Sequence, residues 1–481
     1  MSLARHLEIE NTDLHSIFYP NQGDVEYGMG KEALTDGGQS QSYINRKLRL
    51  ESFIEVDTAD FRLIVNPAFN FELGMDRMDT SNERLYVNTR GVSVHGSIGK
   101  NVSFYSRFYE NQAFLPSYLD NFEAQYDVIP GQGRTKTFKT TGYDYAMASG
   151  VISFSPNKRL NIQLGNGKHH LGDGYRSLAL SNNAFNYPFL KVSSCFGPFQ
   201  YTNLFMGLQN LHVELPTSAQ TEERYQRKIA TMHHLDWVVN KKLTIGVFEQ
   251  MIWAKSSSKG KFKMNTDAIS FVNPIIFVRP LQYGMADENN VLVGMNAKLR
   301  WPKKTEFYSQ IVVDDPKSNK SGFQIGVKTW AVKKLVIRAE FNRVLPLTYT
   351  HIDSTRNFTH YNQALAHPAG AGFAEASLSF SYYLKDFFFI FRLNNIYYDS
   401  DIRTEIMKSD TSFTEIVGPL VGLPLSFYQH IKLGYQINVK TGMQVALGFI
   451  NRDARSLWEN DKMQYFYLSF STNIIRRSYD F

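Results

Sequence analysis

Apolar and polar residues alternate strictly over stretches of about ten to twelve residues, and the stretches come in pairs joined by short, lysine-rich turns. Val291, Val293, Met295, Ala297, Leu299 and Trp301 fall on one face of such a stretch. Leu292, Gly294, Asn296, Lys298 and Arg300 fall on the other, and the turn Pro302-Lys303-Lys304 follows. The plan recurs at Phe323 to Trp330 with the turn Val332-Lys333-Lys334, and again at Ile431 to Val439 with Met443 to Phe449 after it. A period of two means strands. Their length is about twice the ~5–6 residues usual in soluble sheets and close to the ~9–11 that cross a bilayer on a tilt.

Further turns are expected at Thr58-Ala59-Asp60, Gly99-Lys100-Asn101, Pro156-Asn157-Lys158, Asn240-Lys241-Lys242 and Lys385-Asp386. Between the hairpins lie long connections, at 111–141, 165–188, 255–288, 346–372 and 400–424. Short turns at one end and long loops at the other are the pattern of an outer-membrane barrel. A soluble sandwich or propeller has shorter strands and loops of similar size at both ends. The expectation is therefore an all-β fold: a transmembrane antiparallel β-barrel of the outer-membrane type, with about 18 strands (16–20). Its long loops are external and its short basic turns periplasmic. Residues 1–45 are expected to form a periplasmic or plug-like segment with the first strand, and 46–481 the barrel.

Composition agrees. Aromatics make up 14% of the 481 residues, so the chain is not disordered, and the single Cys195 excludes a disulfide scaffold. Mean hydropathy is −0.32, and no apolar run is long enough for a transmembrane helix. The net charge of +7 is spread along the chain without a basic run, which argues against a nucleic-acid partner. The N-terminus, MSLARHLEIENTDLHS, has no apolar core of signal-peptide type, which fits either a cytosolic protein or one whose signal has been removed. The barrel pattern favours the second, with the cell outer membrane as location.

Tyr382, Tyr383, Tyr397, Tyr398, Phe104, Tyr105, Phe108 and Tyr109 sit where strands meet loops, as interfacial aromatic girdles would. The chain closes on QYFYLSFSTNIIRRSYDF, an amphipathic last strand with a terminal aromatic of the kind that outer-membrane assembly machinery reads. Tyr479 and Phe481 are out of phase with Phe466 to Phe470, so a bulge or an early strand end is required. On the face opposite the apolar one, Glu51, Glu55, Arg62, Arg107, Lys298, Arg300, Lys328, Arg338, Glu340, Arg392 and Asn394 are expected inside. Charges of both signs there read as ladders that stiffen the wall rather than as a selective pore.

Two loops carry unusual chemistry. GNGKHHLGDGYRSLALSNNAFNYPFLKV places Lys168, His170, Asp173, Tyr175, Arg176, Asn182, Asn183, Asn186 and Tyr187 among glycines that allow tight turns. RNFTHYNQALAHPAGAGF places His360, Tyr361, Asn362, Gln363 and His367 close together. Planar amides, Arg and Tyr suit sugar hydroxyls and ring faces, so these fourteen residues are the candidate polysaccharide site. The competing reading is loops whose polar groups satisfy one another inside the barrel. Neither loop has the spacing of a metal site, a nucleophile elbow or a dinucleotide fingerprint. No catalytic residue, metal or cofactor is expected.

Five ordered motifs, GDGYRSLALSNNAFNYPFLKV, YTNLFMGL, MHHLDWVVNKKLTIGVFEQMIW, FVNPIIFVRPLQYG and YTHIDSTRNFTHYNQALAHPAGAGF, resemble the Wzi-type capsule-assembly family. They are most similar to its Bacteroidota branch of RemB-like gliding-motility proteins. The resemblance covers the chain from about Phe61 onward. It implies an outer-membrane barrel with an occluded lumen that acts as a surface lectin for capsular polysaccharide. The branch implies a link to gliding or surface-adhesin machinery, and to type IX secretion components. The family's N-terminal helical bundle has little room here, since only about 40 residues precede the first clear strand. The expected function is thus non-enzymatic binding or organisation of cell-surface polysaccharide, with the lipid bilayer and polysaccharide or lipopolysaccharide as partners. The alternative is a porin-like channel for oligosaccharides or other small solutes.

Overall fold

The computed structural model of the chain describes residues 42–79, 84–213, 225–253, 271, 273–283, 289–302, 304–315, 317, 319–399, 425–455, 460–472 and 479–480. The expected segment 1–45 lies almost wholly outside the described residues, as does Phe481. The strands are β1 (Ile54–Asp57), β2 (Phe61–Asp76), β3 (Leu85–Ile98), β4 (Val102–Phe114), β5 (Lys136–Phe138), β6 (Gly142–Asn157), β7 (Leu160–Gly167) and β8 (Tyr187–Phe196). They continue with β9 (Phe199–Val213), β10 (Tyr225–Val238), β11 (Leu243–Ile252), β12 (Asn290–Trp301), β13 (Thr305–Asp315), β14 (Lys320–Thr329) and β15 (Leu335–Val344). After the short hairpin β16 (Thr359–His360) and β17 (Gln363–Ala364) come β18 (Phe373–Leu384), β19 (Phe387–Tyr398), β20 (Leu425–Asn438), β21 (Met443–Arg455) and β22 (Asn460–Ser471).

Every wall strand pairs antiparallel with its neighbours, and β22 returns to β2, from Asn70↔Ser471 to Asp76↔Tyr465. The closed wall has 18 strands; β1 and β5 are short additions laid along β2 and β6. Closure removes the open edges that lipid would not tolerate. The predicted turns sit together at one end, and Gly197-Pro198 joins them as one the pattern did not single out. The long connections sit at the other end, except that 316–319 and 456–459 are as short as the periplasmic turns.

The two faces differ as the alternation requires. On β21 and β22, Leu447 and Leu468 are 60% and 50% exposed, while their neighbours Ala446 and Ser469 are buried in the barrel. Lys298, Lys328, Glu340 and Asn394 all point inward and are buried. The girdle residues divide by phase: Phe108, Tyr382 and Tyr397 face outward, whereas Tyr109 and Tyr398 are buried inside. The last strand ends early, at Ser471. Thr472 then caps the seam, donating its N–H to the Phe69 carbonyl at 2.9 Å, and Tyr479 and Asp480 lie inside the barrel.

Around the short-turn end, the helix Tyr43–Arg49 is tied to the end of β20: Asn438 Nδ2 donates to the carbonyls of Lys47 (3.1 Å) and Glu51 (3.0 Å). At the opposite end the lumen is filled by chain.

Candidate functional site

The segment 168–186, between β7 and β8, dives into the lumen instead of standing over it. Gly172 takes φ +115°, and a Cβ on Gly174 would stand 2.7 Å from Glu340 Oε2, so only glycine lets the backbone come so close to the wall. Glu340 uses that approach to accept the N–H groups of Tyr175 (2.7 Å) and Arg176 (3.1 Å). Asp173 meets Lys298 Nζ at 3.0 Å.

Arg176 ends in a fully buried cluster. Its guanidinium reaches Glu375 Oε1 (3.2 Å), Asp480 Oδ1 (3.2 Å) and the Asp480 carbonyl (2.7 Å). Burial works against its charge, but Asp480 and Glu375 outweigh that and raise its pKa. Asp480 also accepts from Tyr175 OH (2.5 Å) and Asn394 Nδ2 (2.8 Å). Glu375 Oε2 accepts from Asn342 (2.9 Å) and pairs with His367 Nε2 (2.7 Å). Buried charges persist only when paired and hydrogen-bonded in this way. The cluster is a fastener.

The segment 345–372 packs over the first. Ser181 N donates to the Leu365 carbonyl (2.8 Å), Tyr349 OH to the Leu178 carbonyl (2.6 Å), and Asn183 Nδ2 to the Ala366 carbonyl (2.9 Å). Leu171, Leu178, Leu180, Phe358 and Leu365 form an apolar core with Leu204, Met206, Phe248 and Leu292 of the wall. Each such side chain contributes about 1.5–3 kcal/mol on burial, so the plug is held by a true core as well as by charge. His360 joins wall to loops: its Nδ1 accepts the Gln209 N–H (3.0 Å) and its Nε2 bonds the Asn186 carbonyl (3.2 Å). Burial lowers its pKa to about 3, keeping the ring neutral.

The third contribution comes from 115–141. Its helix Ser117–Tyr126 buries Tyr118 and Leu119 against Leu85, Val87 and Tyr465. Beyond it, Gly131 N donates to Gln363 Oε1 (2.6 Å), Gln363 Nε2 to the Gln132 carbonyl (2.8 Å), and Lys168 Nζ to the Gly131 carbonyl (2.5 Å). Asn362 Nδ2 donates to the Tyr126 carbonyl (3.3 Å). All three loops therefore meet at Gly131, Lys168 and Gln363.

The candidate residues divide by depth. Asp173, Tyr175, Arg176 and His367 lie deep in the lumen, bonded to β12, β15, β18, β19 and the chain's end. Asn186, Tyr187, His360 and Gln363 are buried between loops and wall; Tyr187 OH lies 3.2 Å from His169 Nδ1. Lys168, Asn183, Tyr361 and Asn362 are half-buried around the three-loop junction, His170 is half-buried in the loop after β7, and Asn182 is exposed. Tyr361 packs against Phe185 with the rings tilted by 48° and their centroids 4.8 Å apart. The sequence reading missed Phe185, the pair Phe122 and Tyr126 (4.5 Å) and Arg134, which lies 4.8 Å over the Tyr225 ring. Phe122 and Tyr126 stand four apart on one helix face, a signal that the long 111–141 connection did carry. Among the described residues no His, Cys, Asp and Glu group could hold a metal.

The profile of the capsule assembly protein Wzi family matches residues 88–445, most of the chain and most of the wall. The chain belongs to the Wzi capsule-assembly family. A solved structure of Escherichia coli Wzi, described as an outer-membrane protein involved in group 1 capsule assembly and a carbohydrate-binding β-barrel, is similar throughout. Its TM-score is 0.55 at 12% identity, covering 95% of this chain and 94% of that one. At that identity the likeness shows the shared fold. Acinetobacter baumannii OccAB2 (TM-score 0.46, 10% identity, 85% and 97% covered) and Pseudomonas aeruginosa OprD (0.43, 9%, 91% and 100%) are more distant matches. No curated protein matches the chain by sequence.

Proposed function

We propose that this Wzi-family barrel is a non-enzymatic scaffold that holds cell-surface polysaccharide at its extracellular end. The observation that carries the reading is the junction of three loops, where half-buried aromatics and amides stand on a lumen filled by an apolar core. Sugar faces stack on rings such as Tyr361 and Phe185. Lys168, Asn182, Asn183 and Asn362 supply donors and acceptors beside them, and Arg134 a planar cation. The deep residues Asp173, Tyr175, Arg176 and His367 hold this surface in place. The description of E. coli Wzi as carbohydrate-binding supports the same reading.

The test is retention of surface polysaccharide from the source cell by the purified barrel in detergent. Tyr361→Ala with Asn182→Ala should weaken binding about tenfold, the loss of roughly 1.4 kcal/mol, while the barrel stays folded by its heat-modifiable gel migration. Unchanged binding would sink the junction as the site.

Motif likeness to the RemB-like branch supports a finer proposal, that the scaffold serves gliding or adhesin machinery alongside type IX secretion components. Periplasmic placement of residues 1–45 belongs to the same proposal, supported by the helix Tyr43–Arg49 at the short-turn end. Loss of spreading in a deletion strain that still retains its capsule would favour the gliding role over capsule retention.

A further inference from the structure

The outward wall across β20, β21, β22 and β2 changes chemistry between one cross-strand row and the next. Ile431, Phe449, Phe466 and Met75 stand side by side in register, with Phe449 and Phe466 rings 4.5 Å apart. The next row towards the extracellular end is Gln429, Asn451, Gln464 and Arg77. Such a step marks the upper limit of the hydrocarbon. Directly at that limit the wall is hollowed by a recess of about 380 Å³.

Its lining is two-sided. Met78, Leu425 and Phe427 supply its apolar part, Asn451 and Gln464 its amides, and Arg455, Lys462 and Asp453 two outward cations and one acid, with Arg452, paired to Asp461, reaching it from the inner face. Arg455 is 60% exposed although it pairs with Asp453 at 3.2 Å, and Lys462 is exposed. Within the outward rows Arg77, Arg455 and Lys462 outnumber Asp453. An apolar flank, amides and excess positive charge, set together where acyl chains give way to headgroups, are complementary to one class of molecule. We propose that the recess binds the headgroup of a phosphorylated glycolipid of the outer leaflet, a phosphoglucosamine of the lipid A type. Arg455 and Lys462 take the phosphate, Asn451 and Gln464 the sugar hydroxyls and amide, and the acyl chains descend along Phe449, Phe466, Leu447 and Leu468. A free surface polysaccharide has no acyl chains for that apolar ladder, and the recess shares no lining residue with the three-loop junction.

The experiment uses the full-length barrel in detergent, freed of lipid, with binding of diphosphoryl lipid A read by native mass spectrometry. Dephosphorylated lipid A, phosphatidylglycerol and soluble surface polysaccharide are the comparison probes. The expected result is retention of diphosphoryl lipid A in preference to the other two lipids. R455E with K462E should weaken it about tenfold, as loss of charge-assisted contacts to phosphate does, and leave polysaccharide binding at the wild-type level. Should the double variant fail to assemble, as judged by heat-modifiable migration, Lys462→Gln alone should give a smaller loss in the same direction. Equal binding by variant and wild type, or phosphatidylglycerol held as tightly as lipid A, would overturn the proposal. A wild-type barrel that retains diphosphoryl lipid A but binds no surface polysaccharide would strike the loop-junction reading instead.

Discussion

Arg176 shows how much a single side chain carries when it stands between carboxylates out of reach of water. Replacing it with Met would leave Glu375 and Asp480 buried opposite no cation from the loop. Breaking such a pair costs about 3–5 kcal/mol, so Arg176→Met should release the segment 168–186 to protease while the wall keeps its heat-modifiable migration. His360 gives a second test. Its ring is neutral when folded, with a pKa lowered to about 3 by burial, against about 6.5 in the unfolded chain. Between those values the undocked chain binds the extra proton, so stability rises with pH there. The contribution is complete above about pH 6.5 and is lost as pH falls towards 3. Loop cleavage by an acid-tolerant protease should therefore increase from pH 7 to pH 4, and His360→Asn should flatten that rise. An equally steep rise in the variant would remove His360 as its cause. Neither role could be read from sequence. Arg176, Glu375 and Asp480 are hundreds of positions apart, and residue types that bind sugars are the same ones that tie buried backbone together.

Among elements, legibility followed how many faces each strand must satisfy. β12, β14, β15 and β21 have lipid on one side and polar lumen on the other, so alternation marks their presence and phase, although β14 starts three residues before Phe323 and β21 runs six residues beyond Phe449. The segments YTNLFMGL of β9 and MHHLDWVV of β10 are different. Leu204, Met206, Ala230 and Met232 point inward yet are apolar, because the plug's core packs on them. Period two is blurred wherever both faces are hydrophobic. The same packing makes the loops elements in their own right. Phe358 is wholly buried between Tyr349 and its neighbours in the apolar core. Phe358→Ala should cost about 3–5 kcal/mol, visible as faster hydrogen exchange across 345–372 with the wall strands unchanged. Equal loosening of wall and loop would mean that the two do not unfold separately.

For the whole molecule, the fold class, the turns and the strand number were readable because the bilayer imposes strand length and closure on any chain that crosses it this way. What the lumen holds was not, since water, charge ladders and folded loops all permit polar inward residues. The filled extracellular half predicts a silent protein: planar bilayers containing the purified barrel should show no steady conductance, and removal of 347–371 should produce it. Steady current through the intact protein would instead favour a solute channel. Asp480 adds a lock that the wall itself does not contain. It lies beyond the last strand, inside a ring whose seam joins β22 to β2, and it touches both a dipping loop and β19. The seam's ladder and the Asp480 contacts share no residue, so pairing β22 with β2 does not by itself bring Asp480 to Arg176. Closing the wall and locking its interior thus rest on different contacts, one set along the β22–β2 seam and the other at Asp480.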